Sequence, residues 1–278
     1  MYLTYFKGQW AEGNIALFGA MDHSVWLGSS VFDGARAIRG HMPDLRQHLQ
    51  RVIHSAERLG LQCPLTVDEM EALTREGVAR FAADAELYIR PLVFGCEGFL
   101  IPEAQHSGFA LTLFDAPMPP FTGFSACLST LRRPDANMAP TDAKASALYA
   151  NSTRVMREAK ERGYDNGVVL DSLGAAAEFA TSNLFLVTPA GQVVTPVANG
   201  TFLAGITRAR VIALLAEAGV VVEERTVQPQ ELATAVEIFN TGNYGKVMPC
   251  VRYEGRTLAV GPMATLARER YLGYTESH

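Results

Sequence analysis

The sequence predicts a mixed α/β protein in two domains, and three observations carry that expectation. Stretches such as 44–59 and 207–218 place apolar residues at helical spacing. Others, such as 87–94 and 109–114, are rich in the β-branched and aromatic residues that favour strands. Between them and the rest of the chain, residues 115–123 hold three prolines and a glycine, which suits neither element. The expected organisation is an N-terminal α/β domain over 1–115, an interdomain linker over 116–121 and a larger C-terminal domain over 122–278.

In chain order, Leu45, His48, Leu49, Val52, Ile53, Ala56 and Leu59 form one apolar stripe, with Asp44 as its expected N-cap and Gly60 as its stop. A second helix is expected over 67–83, followed by strands over 87–94 and 109–114. Beyond the linker, 152–162 reads as a helix and 166–171 as a strand. Strands over 183–188 and 192–195 flank Pro189-Ala190-Gly191, a hairpin signal. The segment 207–218 is a strong helix, and 236–240 is a strand running into a turn at Thr241-Gly242-Asn243. No internal repeat breaks this order.

Composition removes several function classes. The chain has 278 residues, 48% hydrophobic and 19% charged, enough to bury a substantial core. A net charge of -5 without a Lys/Arg run argues against nucleic acid as a partner. The first ten residues lack the charged-then-apolar layout of an export signal, and no charge-free apolar stretch is long enough for a membrane span. Cys63, Cys96, Cys127 and Cys250 are scattered without a CxxC pair, as expected of reduced thiols in the cytoplasm. There is no dinucleotide or P-loop glycine motif and no Gly-x-Ser-x-Gly elbow. The six histidines, His278 included, offer no metal pair one helical turn apart, so no metal is expected.

Lysine is the informative residue. Only four are present: Lys7, Lys144, Lys160 and Lys246. Lys144 stands in Thr141-Asp142-Ala143-Lys144-Ala145-Ser146, among small residues where desolvation can lower an amine's pKa. Lys160 belongs to a charged helical face, which leaves Lys246, in Gly245-Lys246-Val247, as the rival. Leu203-Ala204-Gly205-Ile206-Thr207-Arg208 opens the strong helix, where backbone N–H groups and a hydroxyl can hold an anion. Thr207 reads equally well as an ordinary N-cap. Glu178 is a carboxylate in apolar surroundings and needs a cationic partner, either a protonated pyridine nitrogen or an arginine.

Taken in order, the segments resemble the class IV, or fold type IV, pyridoxal-phosphate aminotransferases, most closely the branched-chain amino acid group. The resemblance rests on Ser30-Val31-Phe32-Asp33-Gly34-Ala35-Arg36, Arg51 with His54-Ser55-Ala56, and Tyr88-Ile89-Arg90-Pro91. It continues through Lys144 with Tyr149, Glu178-Phe179-Ala180-Thr181-Ser182-Asn183, 203–208 and Phe239-Asn240-Thr241-Gly242, nearly the whole chain. It implies a small α+β first domain and a pseudo-barrel second domain. It also implies pyridoxal 5′-phosphate as cofactor, held as a Schiff base on Lys144, the catalytic residue. By the same resemblance, Tyr149 would bond the ring oxygen, Glu178 the pyridine nitrogen, and Arg51, Leu203, Ile206, Thr207, Gly242 and Asn243 would complete the cofactor site. Phe32, Arg36, Tyr88, Arg90 and Tyr244 would line the substrate pocket, with Arg90 suited to a carboxylate.

The implied activity is ping-pong transamination between a branched-chain L-amino acid and 2-oxoglutarate, in a cytoplasmic homodimer whose partners are small amino acids or amines and 2-oxo acids. Three positions depart from the family: Asp33 replaces glutamate, Leu27 an aromatic residue and Asn243 a hydroxyl residue. The same scaffold also serves (R)-selective amine transaminases, D-amino acid transaminases and aminodeoxychorismate lyase. A non-catalytic PLP-binding protein is the more distant alternative.

Overall fold

The computed structural model describes residues 1–276; His278 lies outside them. The chain forms two compact units, Met1–Met118 with Ala143–Leu148, and Pro119–Asp142 with Tyr149–Tyr274.

The first unit contains β1 (Tyr2–Phe6), β2 (Gln9–Glu12), α1 (His23–Leu27), β3 (Ser30–Phe32), β4 (Ala35–Ile38), α2 (Leu45–Arg58), α3 (Val67–Val78), β5 (Glu86–Gly95) and β6 (Ser107–Asp115). Its antiparallel sheet runs β2-β1-β6-β5-β3, and β4 pairs with β5 beyond β3. Side chains alternate along β5. Leu87, Ile89 and Val93 enter a core with Leu49, Val52 and Ala56 of α2, whereas Tyr88 and Arg90 share the opposite face. Pro91, which has no N–H to give, lies where the partner strand is interrupted at Asp33-Gly34, and its carbonyl accepts from Asp33 N–H.

Helix α2 follows its predicted stripe, but Asp44 takes the left-handed conformation at the N-cap without a side-chain cap bond. Helix α3 ends at Val78 rather than 83, because Arg80 and Phe81 donate to Gly77 and Val78 carbonyls and tighten the chain into a turn. Gly77 leaves room for Trp10: a Cβ there would stand 2.4 Å from the indole.

The second unit contains β7 (Phe124–Arg132), α4 (Tyr149–Glu161), β8 (Asn166–Leu170), β9 (Ala176–Phe179), β10 (Asn183–Val187), β11 (Val193–Pro196), α5 (Ile206–Glu217), β12 (Val222–Arg225), α6 (Pro229–Thr234), β13 (Glu237–Gly242), β14 (Lys246–Tyr253), β15 (Arg256–Thr257) and α7 (Pro262–Thr275). The strand order is β12-β11-β10-β13-β14-β7-β8-β9, with β15 on β14. A bridge from Phe179 to Ser182 brings the end of β9 to the start of β10, so the sheet curls back on itself.

Both faces of β10 are covered, which explains its unbroken apolar run. Leu184 and Leu186 pack inside with Val168, Phe179 and Ile238, while Phe185 and Val187 meet Val211 and Leu215 of α5 and Tyr271 of α7. The predicted hairpin at 189–191 forms, with Leu186 opposite Val194.

Phe185 and Phe239 stack at 5.0 Å with no solvent exposure. Phe239→Ala should therefore cost about 3–5 kcal/mol in urea unfolding. Val236→Ala, at an exposed neighbouring position, should change stability by less than about 0.5 kcal/mol.

Candidate active site

In the first unit, three backbone ties hold Lys144. Its N–H donates to Ser55 Oγ of α2 at 3.0 Å, its carbonyl accepts from Phe32 N–H at 3.2 Å, and Ala145 bridges to Val31. The short segment is thus an added piece of β structure on β3, and its lysine side chain leaves from a fixed backbone. Lys144 Nζ lies 5.0 Å from the Phe32 ring centroid.

The break between β3 and β4 carries a buried ion cluster. Asp33 has no solvent exposure. Its Oδ2 accepts from Arg51 Nε at 2.7 Å, and its Oδ1 accepts from Arg51 Nη2 at 2.9 Å and from Gly34 N–H at 2.7 Å. His48 Nδ1 is 2.7 Å from Asp33 Oδ1; an ionised carboxylate only accepts, so Nδ1 carries the proton. His48 and Arg51 sit three residues apart on α2 and so present to the same spot. Burial alone would raise the Asp33 pKa, but the Arg51 charge and the His48 and Arg51 hydrogen bonds hold it well below the usual carboxylate range.

Tyr88 stacks on Phe114 at 5.2 Å. Its hydroxyl passes so close to Gly34 that a Cβ there would lie 2.1 Å away, which is why a side chain is excluded. Arg90 is exposed on the same face of β5. Arg36, opposite Tyr88 in the sheet, is fully enclosed and donates from Nη1 to the Ala116 carbonyl at 2.5 Å. Through Nη1 the Arg36 guanidinium ties β4 to the chain at Ala116. Leu27, the last residue of α1, is exposed.

In the second unit, Glu178 stands near the end of β9 and is 7% exposed. Its Oε1 is 3.4 Å from Arg133 Nε, and its Oε2 accepts from Asn183 Nδ2 at 3.3 Å. Asn183 Nδ2 also donates to the Leu203 carbonyl at 3.1 Å. Its Oδ1 lies where a Cβ on residue 205 would be, 1.9 Å away, so Gly205 is required by this close approach. One amide therefore links the buried acid to the entrance of α5. Of the two cationic partners that the apolar surroundings allowed, the arginine is present, and Asn183 supplies a second donor.

Gly205, with extended backbone, is the N-cap of α5, and Thr207 is the second helical residue, buried at 3% exposure. Thr207 is thus not the cap. Thr241 and Gly242 continue β13, paired with Val247 and Lys246, so the turn lies at 243–245 and not at Thr241. Beside it, the Thr241 and Ser182 hydroxyls are buried without a hydrogen-bond partner among the described residues. Buried hydroxyls are nearly always satisfied, so this corner fits a polar occupant. Tyr149, half-buried, begins α4, and Tyr244 is exposed at the tip of the turn.

Reading the sequence missed Arg133, Asn183 and the role of His48. Arg133 lies in Arg132-Arg133-Pro134, which resembles a solvated pair; Asn183 closes the Glu178 motif and opens a strand with no role assigned to it, and His48 is one position in an apolar stripe.

Residues 30–253 match the family described as "Amino-transferase class IV", a span running from β3 to the end of β14. The chain belongs to the class IV aminotransferases. It is similar to the branched-chain-amino-acid aminotransferase of Escherichia coli K12, with 30% identity over 97% of this chain and 91% of that protein. Among solved structures, an aminotransferase from Brucella abortus bound to PLP superposes with a TM-score of 0.97, at 46% identity and 99% coverage of both chains. A branched-chain aminotransferase from Thermoproteus uzoniensis with norvaline has a TM-score of 0.90 at 27% identity, covering 99% of this chain and 95% of that one. This class IV aminotransferase thus has the type IV fold of PLP-dependent enzymes, with the curled sheet as its pseudo-barrel.

Asp33→Asn leaves the part-buried Arg51 guanidinium and the buried His48 Nδ1–H without their acid, which should cost about 3–5 kcal/mol at neutral pH in chemical unfolding. The folded Asp33 pKa is depressed, so its stabilisation is complete above the unfolded value of about 4 and is lost only as pH falls below that toward the folded value. Asp33→Glu, which keeps the charge, should lose less.

Proposed function

We propose that this aminotransferase holds pyridoxal 5′-phosphate on Lys144 and transfers amino groups from branched-chain L-amino acids to 2-oxoglutarate in a ping-pong cycle. The observation that carries the reading is Glu178, a buried carboxylate whose Oε1 lies 3.4 Å from Arg133 Nε and whose Oε2 accepts from Asn183 Nδ2 at 3.3 Å. A carboxylate fixed in this way is a ready partner for a protonated ring nitrogen.

When bound, the cofactor supplies a carbonyl that condenses with amines and a ring that accepts electrons from the substrate Cα. Lys144 Nζ would hold it covalently and would move the proton at substrate Cα. Tyr149 bonds the ring oxygen, and Glu178 keeps the ring nitrogen protonated. Thr207 and the N–H groups at the start of α5, with Leu203 and Ile206 beside them, hold the phosphate together with Gly242, Asn243 and Arg51. The orphaned Thr241 and Ser182 hydroxyls support a polar group at that corner. Within the first unit Arg51 is already oriented by Asp33, which occupies its Nε–Nη2 edge.

Phe32, Tyr88, Arg90 and Tyr244 contact the substrate. The branched-chain relatives and the norvaline-bearing structure support an amino acid donor with an apolar side chain. Arg90, exposed beside Tyr88, suits the second carboxylate of glutamate or 2-oxoglutarate.

The enzyme works as a homodimer in the cytoplasm. In the first unit, Trp26 meets Phe99 edge-on at 5.4 Å, and Leu100 and Ile101 beside Phe99 are more than 70% exposed. An apolar cluster of this kind supports cover by a second copy. All four cysteines are free, and among the described residues no helix is long and apolar enough to cross a membrane.

Leucine and (R)-1-phenylethylamine, assayed side by side with 2-oxoglutarate, test the substrate assignment. A rate with leucine is expected; a strong rate with the amine and none with leucine overturns it. Lys144→Ala should fold yet fail to retain the cofactor's visible absorbance after gel filtration. Glu178→Gln should bind cofactor but turn over more slowly, on the order of a hundredfold.

A further inference from the structure

Of the four lysines, Lys246 alone is buried, at 1% exposure. Its backbone is also unusual. It follows the 243–245 turn, pairs with Gly242 across the hairpin and has φ of +58°. A turn of three residues closed by a left-handed residue ordinarily has glycine or asparagine there, because a Cβ is strained. Backbone strain and the desolvation of an ammonium are thus borne at one residue, so its side chain does something glycine cannot.

Its contacts show what that is. Lys246 Nζ donates to Asn243 Oδ1 at 2.7 Å and lies 5.2 Å from the ring of Tyr271, a fully buried residue of α7. One helical turn earlier on α7, Arg268 donates from Nη1 to the carbonyls of Gly245 at 2.8 Å and Val247 at 2.9 Å. The turn therefore rests on two buried cations, which draw its carbonyl and amide oxygens inward. The positive field of both reaches the outer side of the turn with little screening, because low-dielectric protein surrounds them.

We propose that Lys246 is a positioning residue for the phosphate of the cofactor: it fixes Asn243 through that hydrogen bond and charges the turn from beneath. This rests on the reading of Gly242 and Asn243 as part of the phosphate site. It also accounts for Asn243, which stands where the family has a hydroxyl residue. The short amide is oriented by the lysine, and the pair takes the place of a single side chain.

Full-length protein stripped of cofactor, titrated with pyridoxal 5′-phosphate and with unphosphorylated pyridoxal, tests the proposal. Lys246→Met should weaken the phosphorylated ligand by at least about tenfold while leaving pyridoxal within about twofold. Asn243→Ala should show the same selective loss, and Lys246→Gln, which removes the charge, is read by the same criterion if Lys246→Met does not fold. An equal loss for both ligands, or none for either, overturns the proposal. Thr207→Ala in the same titration separates this from failure of the underlying reading. If Thr207→Ala keeps the full preference for the phosphorylated ligand, the phosphate does not belong at this corner at all. Selective loss in Thr207→Ala with none in Lys246→Met overturns the role of Lys246 alone.

Discussion

A carboxylate near the end of β9, buried between an arginine and an amide, is the constraint around which the second unit is arranged. Arg133 and Asn183 give the Glu178 oxygens polar partners where little water reaches them. Each partner is itself fixed: Arg133 Nε also donates to the Thr201 carbonyl, and Asn183 to that of Leu203. The acid therefore ties β9, β10 and the approach to α5 into one rigid piece. A site that must hold a ring nitrogen in one place needs this rigidity, because catalytic geometry tolerates errors of only about half an ångström.

The first unit solves a similar problem by the same means. Asp33, in the break between two strands, collects His48 and Arg51 from a single helix face. From the strand break its short side chain reaches both the His48 ring and the Arg51 guanidinium. Its pairing fixes the direction of Arg51 and anchors the strand pair from which Phe32 meets the Lys144 segment. In both units a buried acid orients the cationic or polar groups around it, and the groups assigned to chemistry extend from that frame.

Much of this was legible in the residues. The apolar stripe of α2, the hairpin around Pro189-Ala190-Gly191 and the run of β10 each have a periodicity that packing then obeys. Lys144 stood out because lysines are scarce, and Glu178 because an acid among alanines and phenylalanines needs a partner. What stayed hidden is long-range. Arg133 and Glu178 are far apart in sequence, and no local pattern announces their meeting. Edge strands such as β2 and β15 are too short to show alternation. The buried state of Arg36 and Lys246 runs against what their residue types suggest, and only the packing around them reveals it.

The account depends most directly on Glu178 keeping a proton on the cofactor's ring nitrogen. Nitrogen-15 NMR of the full-length protein loaded with pyridoxal 5′-phosphate labelled at that nitrogen reads this state without turnover. The account predicts a protonated nitrogen throughout the neutral range in the wild type and loss of that proton in Glu178→Gln. A nitrogen already unprotonated in the wild type at neutral pH would contradict it.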